Sequence, residues 1–151
     1  MIGYSLKGYN KENMARAFAI AVPISFKQSV EICRFIKNKN VNDAKKNLYD
    51  VIGKKLAVPF IRYNWDLGHK KGVGPARYPE KASKEFIKLI ENVEANAQFK
   101  GLNTSNLVIT YVSAHKSSKT QHFGRKMRRR MKRTNVEIVV EEKANIKSNS
   151  R

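Results

Sequence analysis

The residue types that most often carry out chemistry are few in this chain and are not spaced for a reaction. The three histidines, at positions 69, 115 and 122, lie in or beside basic segments. They lack metal-ligand spacing to the single cysteine, Cys33, or to paired acidic residues. The segment Gly53-Lys54-Lys55 lacks the upstream glycine and the serine or threonine of a phosphate-binding loop. We therefore expect no catalytic activity, no cofactor and no metal site, and we interpret the histidines as phosphate or base contacts.

Positive charge is the strongest chemical feature of the chain. The 31 Lys and Arg residues outnumber the 12 Asp and Glu residues, which gives a formal net charge of +19 over 151 residues. This charge favours nucleic acid as the partner, because neutralised phosphates release condensed counterions. A membrane surface is the weaker alternative, since no basic stretch has a matching apolar face. A single cysteine excludes an intramolecular disulfide framework and indicates a reducing compartment.

The charge is concentrated between two predicted strands near the end of the chain. Residues 107–112 and 136–140 are rich in β-branched and aromatic side chains, as strands tend to be. Between them, residues 116–133 form a basic finger with nine Lys and Arg residues and no acidic residue. Each arm of this finger could extend about 25–30 Å at about 3.3 Å per residue. A cationic finger of that length predicts a polyanionic partner.

A second basic segment, residues 54–78, shows neither helical nor strand periodicity. Its cations alternate with aromatic residues, and unpaired RNA bases can stack on such rings while ammonium groups contact phosphates. The alternative is an ordinary surface loop whose rings pack into the core, and for Phe60 and Trp65 the sequence favours neither interpretation. The RNA-binding candidates in this segment are Lys54, Lys55, Arg62, Tyr63, His69, Lys70, Lys71 and Arg77.

A strand and a helix are predicted ahead of these segments. Residues 15–22 alternate between larger side chains and four alanines, which indicates a strand whose small face lets a helix approach closely. Ser25 and Gln28 have the spacing of a capping box, so a helix is predicted to begin there. In that helix Cys33 lies in the apolar stripe and is interpreted as a small core residue. Glu31 is predicted on the outer side of the helix.

Two further helices are predicted from their terminal residues. Asn42 is predicted to cap the second helix, and Gly53 to end it in the left-handed conformation that glycine adopts without strain. Pro79 is predicted in the first turn of the longest helix, where its missing N–H costs nothing. Gly101 is predicted to end that helix.

These elements divide the chain into three parts. Residues 1–13 are polar and indicate an N-terminal arm. Residues 14–142 are predicted to form one globular RNA-binding domain, which includes an extended hairpin (107–142) carrying the basic finger. Residues 143–151 are polar and uncapped, which is typical of a flexible tail.

Several motifs resemble those of one protein family. They are Val58-Pro59-Phe60, residues 77–82 (Arg-Tyr-Pro-Glu-Lys-Ala), and Ala95-Asn96-Ala97 followed by Gly101-Leu102. In this order they are similar to the signature of the universal large-subunit ribosomal protein twenty-two family, in its archaeal form. That family is the counterpart of the eukaryotic large-subunit protein numbered seventeen. The resemblance extends over residues 16–142, nearly the whole chain.

The resemblance implies an α+β fold in which a three-stranded antiparallel sheet packs on three helices and carries a long basic β-hairpin extension. It implies a structural constituent of the large ribosomal subunit in the cytoplasm, which binds large-subunit rRNA and helps its assembly. The implied partners are large-subunit rRNA, neighbouring ribosomal proteins and the nascent polypeptide in the exit tunnel, without a membrane and without homo-oligomers.

The resemblance also implies roles for residues of the basic finger. The tip of the finger would line the exit tunnel, and the tip residues are Phe123, Gly124, Arg125 and Met127. The residues of the finger that would bind rRNA are Lys116, Lys119, His122, Arg125, Lys126, Arg128, Arg129, Arg130, Lys132 and Arg133.

An architectural DNA-binding protein is the alternative function. Such a protein would use the hairpin as an arm in the minor groove, with Phe123 or Met127 as the apolar wedge. Proteins of this kind are commonly dimers that prefer bent duplex DNA. Sedimentation and competition between duplex DNA and structured rRNA would therefore distinguish the two functions.

Overall fold

The computed structural model describes residues 3–143, so all but the first residue of the predicted tail lies outside the described residues. Residues 3–143 form three α-helices and six strands that do not alternate along the chain, in agreement with the predicted α+β class. In chain order the elements are β1 (Met14–Val22), α1 (Phe26–Ile36), α2 (Val41–Ile52), β2 (Val58–Pro59), β3 (His69–Lys70), β4 (Gly74–Arg77), α3 (Glu80–Phe99), β5 (Leu107–Lys116) and β6 (Thr134–Glu142).

The main sheet is antiparallel, with β6 between β1 and β5. This three-stranded sheet and the three helices confirm the predicted fold class. Strands β5 and β6 are longer than the predicted 107–112 and 136–140, because pairing continues to Lys116 opposite Thr134. The basic finger therefore begins where the sheet ends. The length by which the finger extends from the domain stays a prediction.

The alanine face of β1 lies against the longest helix. Ala15 and Ala17 are buried in the core, and α3 packs on this strand. Small side chains allow this close approach, as the alternating sequence predicts. The opposite face of β1 is covered in part by the N-terminal arm, where the ring of Tyr4 contacts Phe18 edge-on with 5.7 Å between ring centroids.

The first helix begins where it was predicted, but the capping box is wrong. Ser25 is the N-cap of α1, yet its hydroxyl makes no capping hydrogen bond. Its carbonyl instead accepts a hydrogen bond from the Ser29 hydroxyl at 2.9 Å. Side chains with such hydroxyls often bond to a backbone carbonyl four residues earlier, and here that local bond stands in place of the predicted cap.

The predicted ends of the second helix are each wrong by one or two residues. The helix begins directly after Asn40, because Asn40 is held in an extended conformation by its bridge to Val108 of β5. At the other end Gly53 has an ordinary φ of −74°, and Lys54 has the left-handed φ of 58°. The N–H of Lys55 bonds to the carbonyl of Asp50, which is the bond of a Schellman motif.

The second basic segment contains a small sheet that the sequence did not reveal. Strands β2, β4 and β3 pair antiparallel in that order, with Val58 opposite Arg77 and Lys70 opposite Gly74. These strands have two to four residues, too few for any periodicity to appear. The two aromatic residues for which the sequence favoured neither interpretation differ in burial: Phe60 is buried, whereas Trp65 is 86% exposed.

Glu31 is buried, so its predicted position on the outer side of α1 is wrong. Its carboxylate accepts hydrogen bonds from the backbone N–H groups of Ile61 at 3.2 Å, Arg62 at 3.0 Å and Tyr63 at 3.1 Å. These bonds compensate for burying a carboxylate and satisfy three donors that the loop would otherwise leave unpaired. Glu31 thereby fixes the backbone of a candidate RNA-binding loop.

Replacing Glu31 with glutamine is expected to lower the free energy of unfolding by about 2–3 kcal/mol. The neutral amide has one acceptor oxygen instead of two, and its NH₂ group would face a backbone donor. Guanidinium denaturation measures the change. Glu91→Gln, on the exposed side of α3, is the matched control and should change the stability by less than about 0.5 kcal/mol. Equal effects of the two substitutions would contradict a specific role for the buried carboxylate.

Cys33 lies in the core, which confirms its interpretation as a small core residue. Burial raises the pKa of its thiol to about 12, so the thiol stays protonated in the folded protein. A protonated, buried thiol is neither a nucleophile nor a metal ligand.

Cys33 should make the folded protein less stable as the pH rises above about 8.5. The unfolded thiol ionises there, while the folded thiol keeps its proton until about pH 12, so deprotonation favours the unfolded state. Relative to Cys33→Ala, the wild type should lose about 1 kcal/mol between about pH 8 and pH 9.5. Parallel stability curves for the two proteins would contradict this prediction.

Candidate nucleic-acid interface

Residues 117–133 continue the hairpin beyond the paired strands. Backbone N–H groups bond across the two arms, from Ser117 to Arg133 at 3.2 Å and from Met131 to Thr120 at 2.8 Å. A short 3₁₀ turn, Gly124–Lys126, lies at the tip. None of residues 117–133 is buried. The finger is therefore held by its own backbone and adds nothing to the core.

The predicted tip is exposed and partly apolar. Phe123 is 89% exposed and Met127 is 58% exposed, on either side of the 3₁₀ turn. Gly124 there has a φ of 62°, which favours glycine over residues with a Cβ. The cations around the tip, Arg125, Lys126, Arg128, Arg129 and Arg130, are all exposed.

The charge of the finger is not neutralised by the rest of the described chain. Within residues 3–143 the ion pairs are Lys45 with Glu94, Lys54 with Glu80 and Lys88 with Glu85, and none involves the finger. Of the predicted RNA-binding residues in this range only Lys54 has an ionic partner. That pair, at 3.4 Å, is exposed and therefore contributes little.

The root of the finger is tied to the bulge in β1. The side-chain oxygen of Asn135 accepts a hydrogen bond from the N–H of Ala21 at 2.7 Å, and Arg133 donates to the carbonyl of Ala21 at 3.3 Å. Ala21 has a φ of 51° at this register shift. The hydroxyl of Thr134 donates to the carbonyl of Ile24 at 3.0 Å. Arg133, a predicted rRNA contact, thus also fixes the root.

Several predicted RNA-binding residues meet in one pocket at the root of the finger, which we call the root pocket. The aromatic ring of Phe26 and the ammonium group of Lys27, both from the first turn of α1, complete it. The sequence does not reveal these two residues, because they are about 90 residues from the finger and become its neighbours only when α1 packs on the main sheet. The predicted residues that line it are Tyr63, Lys116, Lys119, Lys132 and Arg133.

The remaining cations of the second basic segment lie on or beside the small sheet. Lys70 of β3 lies over the ring of Tyr78, with its Nζ 5.7 Å from the ring centroid. The guanidinium of Arg62 lies 5.6 Å from the ring of Tyr63. The strands β2 to β4 and the hydrogen bonds to Glu31 position these residues, and of the four only Tyr63 lines the root pocket. The exposed RNA-binding candidates of this segment are Lys54, Lys55, Arg62, His69, Lys70, Lys71 and Arg77.

The described part of the N-terminal arm, residues 3–13, contacts the opposite face of the main sheet. The guanidinium of Arg16 lies between the rings of Tyr4 and Tyr9, at 3.9 and 4.4 Å from their centroids. Ser5 donates from its backbone N–H at 3.0 Å and from its hydroxyl at 2.7 Å to the buried carboxylate of Glu137. Burial raises the pKa of Tyr4, and the charge of Arg16 opposes that shift. The arm's tyrosines therefore already have a cation between them.

Residues 3–143 contain no group of three or more His, Cys, Asp or Glu side chains placed to hold a metal ion. His115 bonds to the hydroxyl of Ser113 at 2.9 Å, and the backbone N–H of His122 donates to the carbonyl of Arg129 at 3.0 Å. Across the same residues, no helix has both the length and the hydropathy needed to span a membrane.

Comparison with known proteins identifies the family. Residues 17–141 match the family described as ribosomal protein L22p/L17e. Large ribosomal subunit protein uL22 of Archaeoglobus fulgidus is 39% identical over 93% of this chain and 96% of its own length. The uL22 proteins of Methanoregula boonei and Thermoplasma volcanium are 41% and 46% identical, over 95% and 74% of this chain and 98% and 77% of their own lengths.

These matches confirm the family that the motifs indicated, and with it a cytoplasmic ribosome as the location of the protein. Within residues 3–143, Lys54 alone among the predicted RNA-binding residues has an ionic partner, which agrees with a protein that binds RNA. The chain belongs to the ribosomal protein L22p/L17e family, whose members are structural proteins and not enzymes.

Proposed function

We propose that this chain is a structural constituent of the large ribosomal subunit that binds large-subunit rRNA and helps its assembly. The observation that carries the proposal is the basic finger, in which nine Lys and Arg residues have no acidic neighbour in the segment and no ion pair within residues 3–143. Like charges at this density repel one another in water, and phosphates remove that repulsion while releasing counterions. Relatives named as large ribosomal subunit proteins support the proposal.

The second basic segment would bind rRNA from the side of the globular body. Glu31 fixes the backbone that carries Arg62 and Tyr63, so these side chains are positioned before RNA arrives. Trp65, with its side chain exposed, offers a ring face on which an unpaired base can stack. The finger and this segment would together grip rRNA from two sides.

The tip of the finger would line the polypeptide exit tunnel beside the nascent chain. Phe123 and Met127 are large apolar side chains exposed at the tip, and the bonds around Ala21 and Asn135 hold only the root. The cations along the finger would bind rRNA phosphates. The exposed apolar side chains at its tip would lie beyond these phosphates and contact the peptide. Neighbouring ribosomal proteins are the further partners that this position implies.

Binding to deproteinised large-subunit rRNA should depend steeply on salt. With about 10 phosphates contacted, log K should fall against log salt with a slope of about −7 to −9. Replacing Arg128, Arg129 and Arg130 with glutamine should reduce the magnitude of that slope by about 2. Filter binding over a salt series measures both slopes.

The matched control for this experiment replaces Lys81, Lys84 and Lys88 with glutamine. It removes the same charge from the outer side of α3, where the three lysines are exposed. Its slope should equal that of the wild type. If both triple variants lowered the slope equally, total charge would account for binding and the finger would have no special role.

Deleting residues 119–132 and closing the hairpin with an Asn-Gly turn should leave a folded domain. The deleted residues are not buried, and Ser117 is already bonded to Arg133 where the new turn would close. The free energy of unfolding should change by less than about 1 kcal/mol, while rRNA affinity falls. Guanidinium denaturation followed by circular dichroism tests this. Loss of the cooperative transition would mean that the finger belongs to the core.

The DNA-binding alternative makes a different prediction for the same protein. A minor-groove arm would prefer bent duplex DNA over rRNA at equal salt concentration, and the protein would sediment as a dimer. The proposed function predicts that the free protein is a monomer and that rRNA displaces duplex DNA from it. Competition binding with both nucleic acids and sedimentation of the free protein distinguish them.

A further inference from the structure

The root pocket differs from three other clefts of the described surface in its charge or in the freedom of its ammonium groups. It has a volume of about 410 Å³, within the range of about 300–1,000 Å³ typical of ligand pockets. Five cations and two aromatic rings line it, and no carboxylate does. The clefts beside Asp43 and beside Glu85 contain acidic residues.

The cleft beneath the N-terminal arm also combines rings with cations, but its groups are already engaged. Arg16 lies between Tyr4 and Tyr9, and the Nζ of Lys100 donates to the Tyr9 hydroxyl at 2.6 Å and to the Met14 carbonyl at 2.8 Å. In the root pocket, the ammonium groups of the four lysines make no hydrogen bond or ion pair with any residue between 3 and 143. These four ammonium groups are therefore available to an anion, whereas the fifth cation, Arg133, already donates to the carbonyl of Ala21.

The two rings of the root pocket form a corner. The centroids of Phe26 and Tyr63 are 6.4 Å apart, and their planes meet at 67°. A planar group that stacks on one ring would meet the edge of the other. Each ring now has an ammonium group 5.5 Å from its centroid, Lys27 over Tyr63 and Lys116 over Phe26. Lysine stems are flexible, so both ammonium groups can move aside toward a nearby phosphate.

Both walls of the corner are fixed by the fold. Phe26 begins α1, and Glu31 of the same helix accepts the backbone N–H of Tyr63 at 3.1 Å. The bond from Arg133 to the carbonyl of Ala21 fixes the side of the pocket that belongs to the finger. A pocket whose walls are held by three separate elements loses little freedom when a ligand enters.

We propose that the root pocket binds one unpaired nucleotide of ribosomal RNA, with its base in the corner of Phe26 and Tyr63. Its phosphates contact Lys119, Lys132 and Arg133. This inference rests on the proposed function and identifies one position at which the protein would recognise the RNA. Aromatic rings hold splayed-out bases, whereas double-stranded RNA keeps its bases stacked and presents phosphates alone. The pocket therefore selects a single-stranded or bulged segment of the RNA.

The test uses the full chain and deproteinised large-subunit rRNA. The double variant Phe26→Leu and Tyr63→Leu removes both rings and no charge, and it should lower rRNA affinity about tenfold. In the wild-type complex, acylation of ribose 2′-hydroxyls should show one unpaired nucleotide as protected, and in the variant complex that nucleotide should react. Tyr49→Leu, which removes a ring that is 56% exposed on α2, is the control and should behave as the wild type.

A second pair of variants covers the case in which the ring variant does not fold. Lys119→Gln with Lys132→Gln changes two exposed side chains, and Lys81→Gln with Lys84→Gln is its charge-matched control. In complexes of the Lys119→Gln, Lys132→Gln variant the same nucleotide should react with the acylating reagent. In complexes of the control variant it should stay protected. Wild-type affinity and an unchanged acylation pattern for both pocket variants would overturn this inference while leaving rRNA binding intact. If the wild type itself failed to bind rRNA, the proposed function would be overturned, and this inference with it.

Discussion

The rest of the structure depends on the pairing of β6 with a strand on each side. Val136, Ile138 and Val140 lie in the core, whereas Glu137 faces the N-terminal arm, so a slip by one residue would turn the apolar side chains away from the core. The register is therefore fixed, and with it the positions of Arg133, Thr134 and Asn135. These three residues hold the bulge of β1 and the chain before α1. The buried apolar residues of β6 thus determine where the cationic finger leaves the domain.

Two of the 12 acidic residues fix segments of the chain without neutralising a basic side chain, one in the second basic segment and one in the N-terminal arm. Glu31 binds the backbone of residues 61–63, and Glu137 binds the backbone and hydroxyl of Ser5. Each carboxylate is buried, and each receives N–H groups in place of Lys or Arg side chains. The outward-facing charge of the second basic segment therefore stays available for phosphates, while Glu31 holds its backbone.

The sequence predicts the elements that have a local period and fails where a residue's environment is built by distant segments. The alanine alternation of β1 and the place of Cys33 in its stripe follow from local pattern, and the structure confirms both. The burial of Glu31 does not, because its partners come thirty residues later and in a loop. Phe26 and Lys27 belong to the candidate site only because α1 packs on the sheet that carries the finger. Tertiary contacts decided each of these cases.

The link between α1 and α2 has a consequence for the protein before it meets its partners. Residues 38–40 bond to the outer side of β5, through the N–H of Asn38, the carbonyl of Lys39 and the bridge from Asn40 to Val108. An open sheet edge invites strand addition by other chains, which leads to aggregation. Covering the start of β5 removes part of that template. Less of the β5 edge is therefore open to strand addition by another copy of the chain.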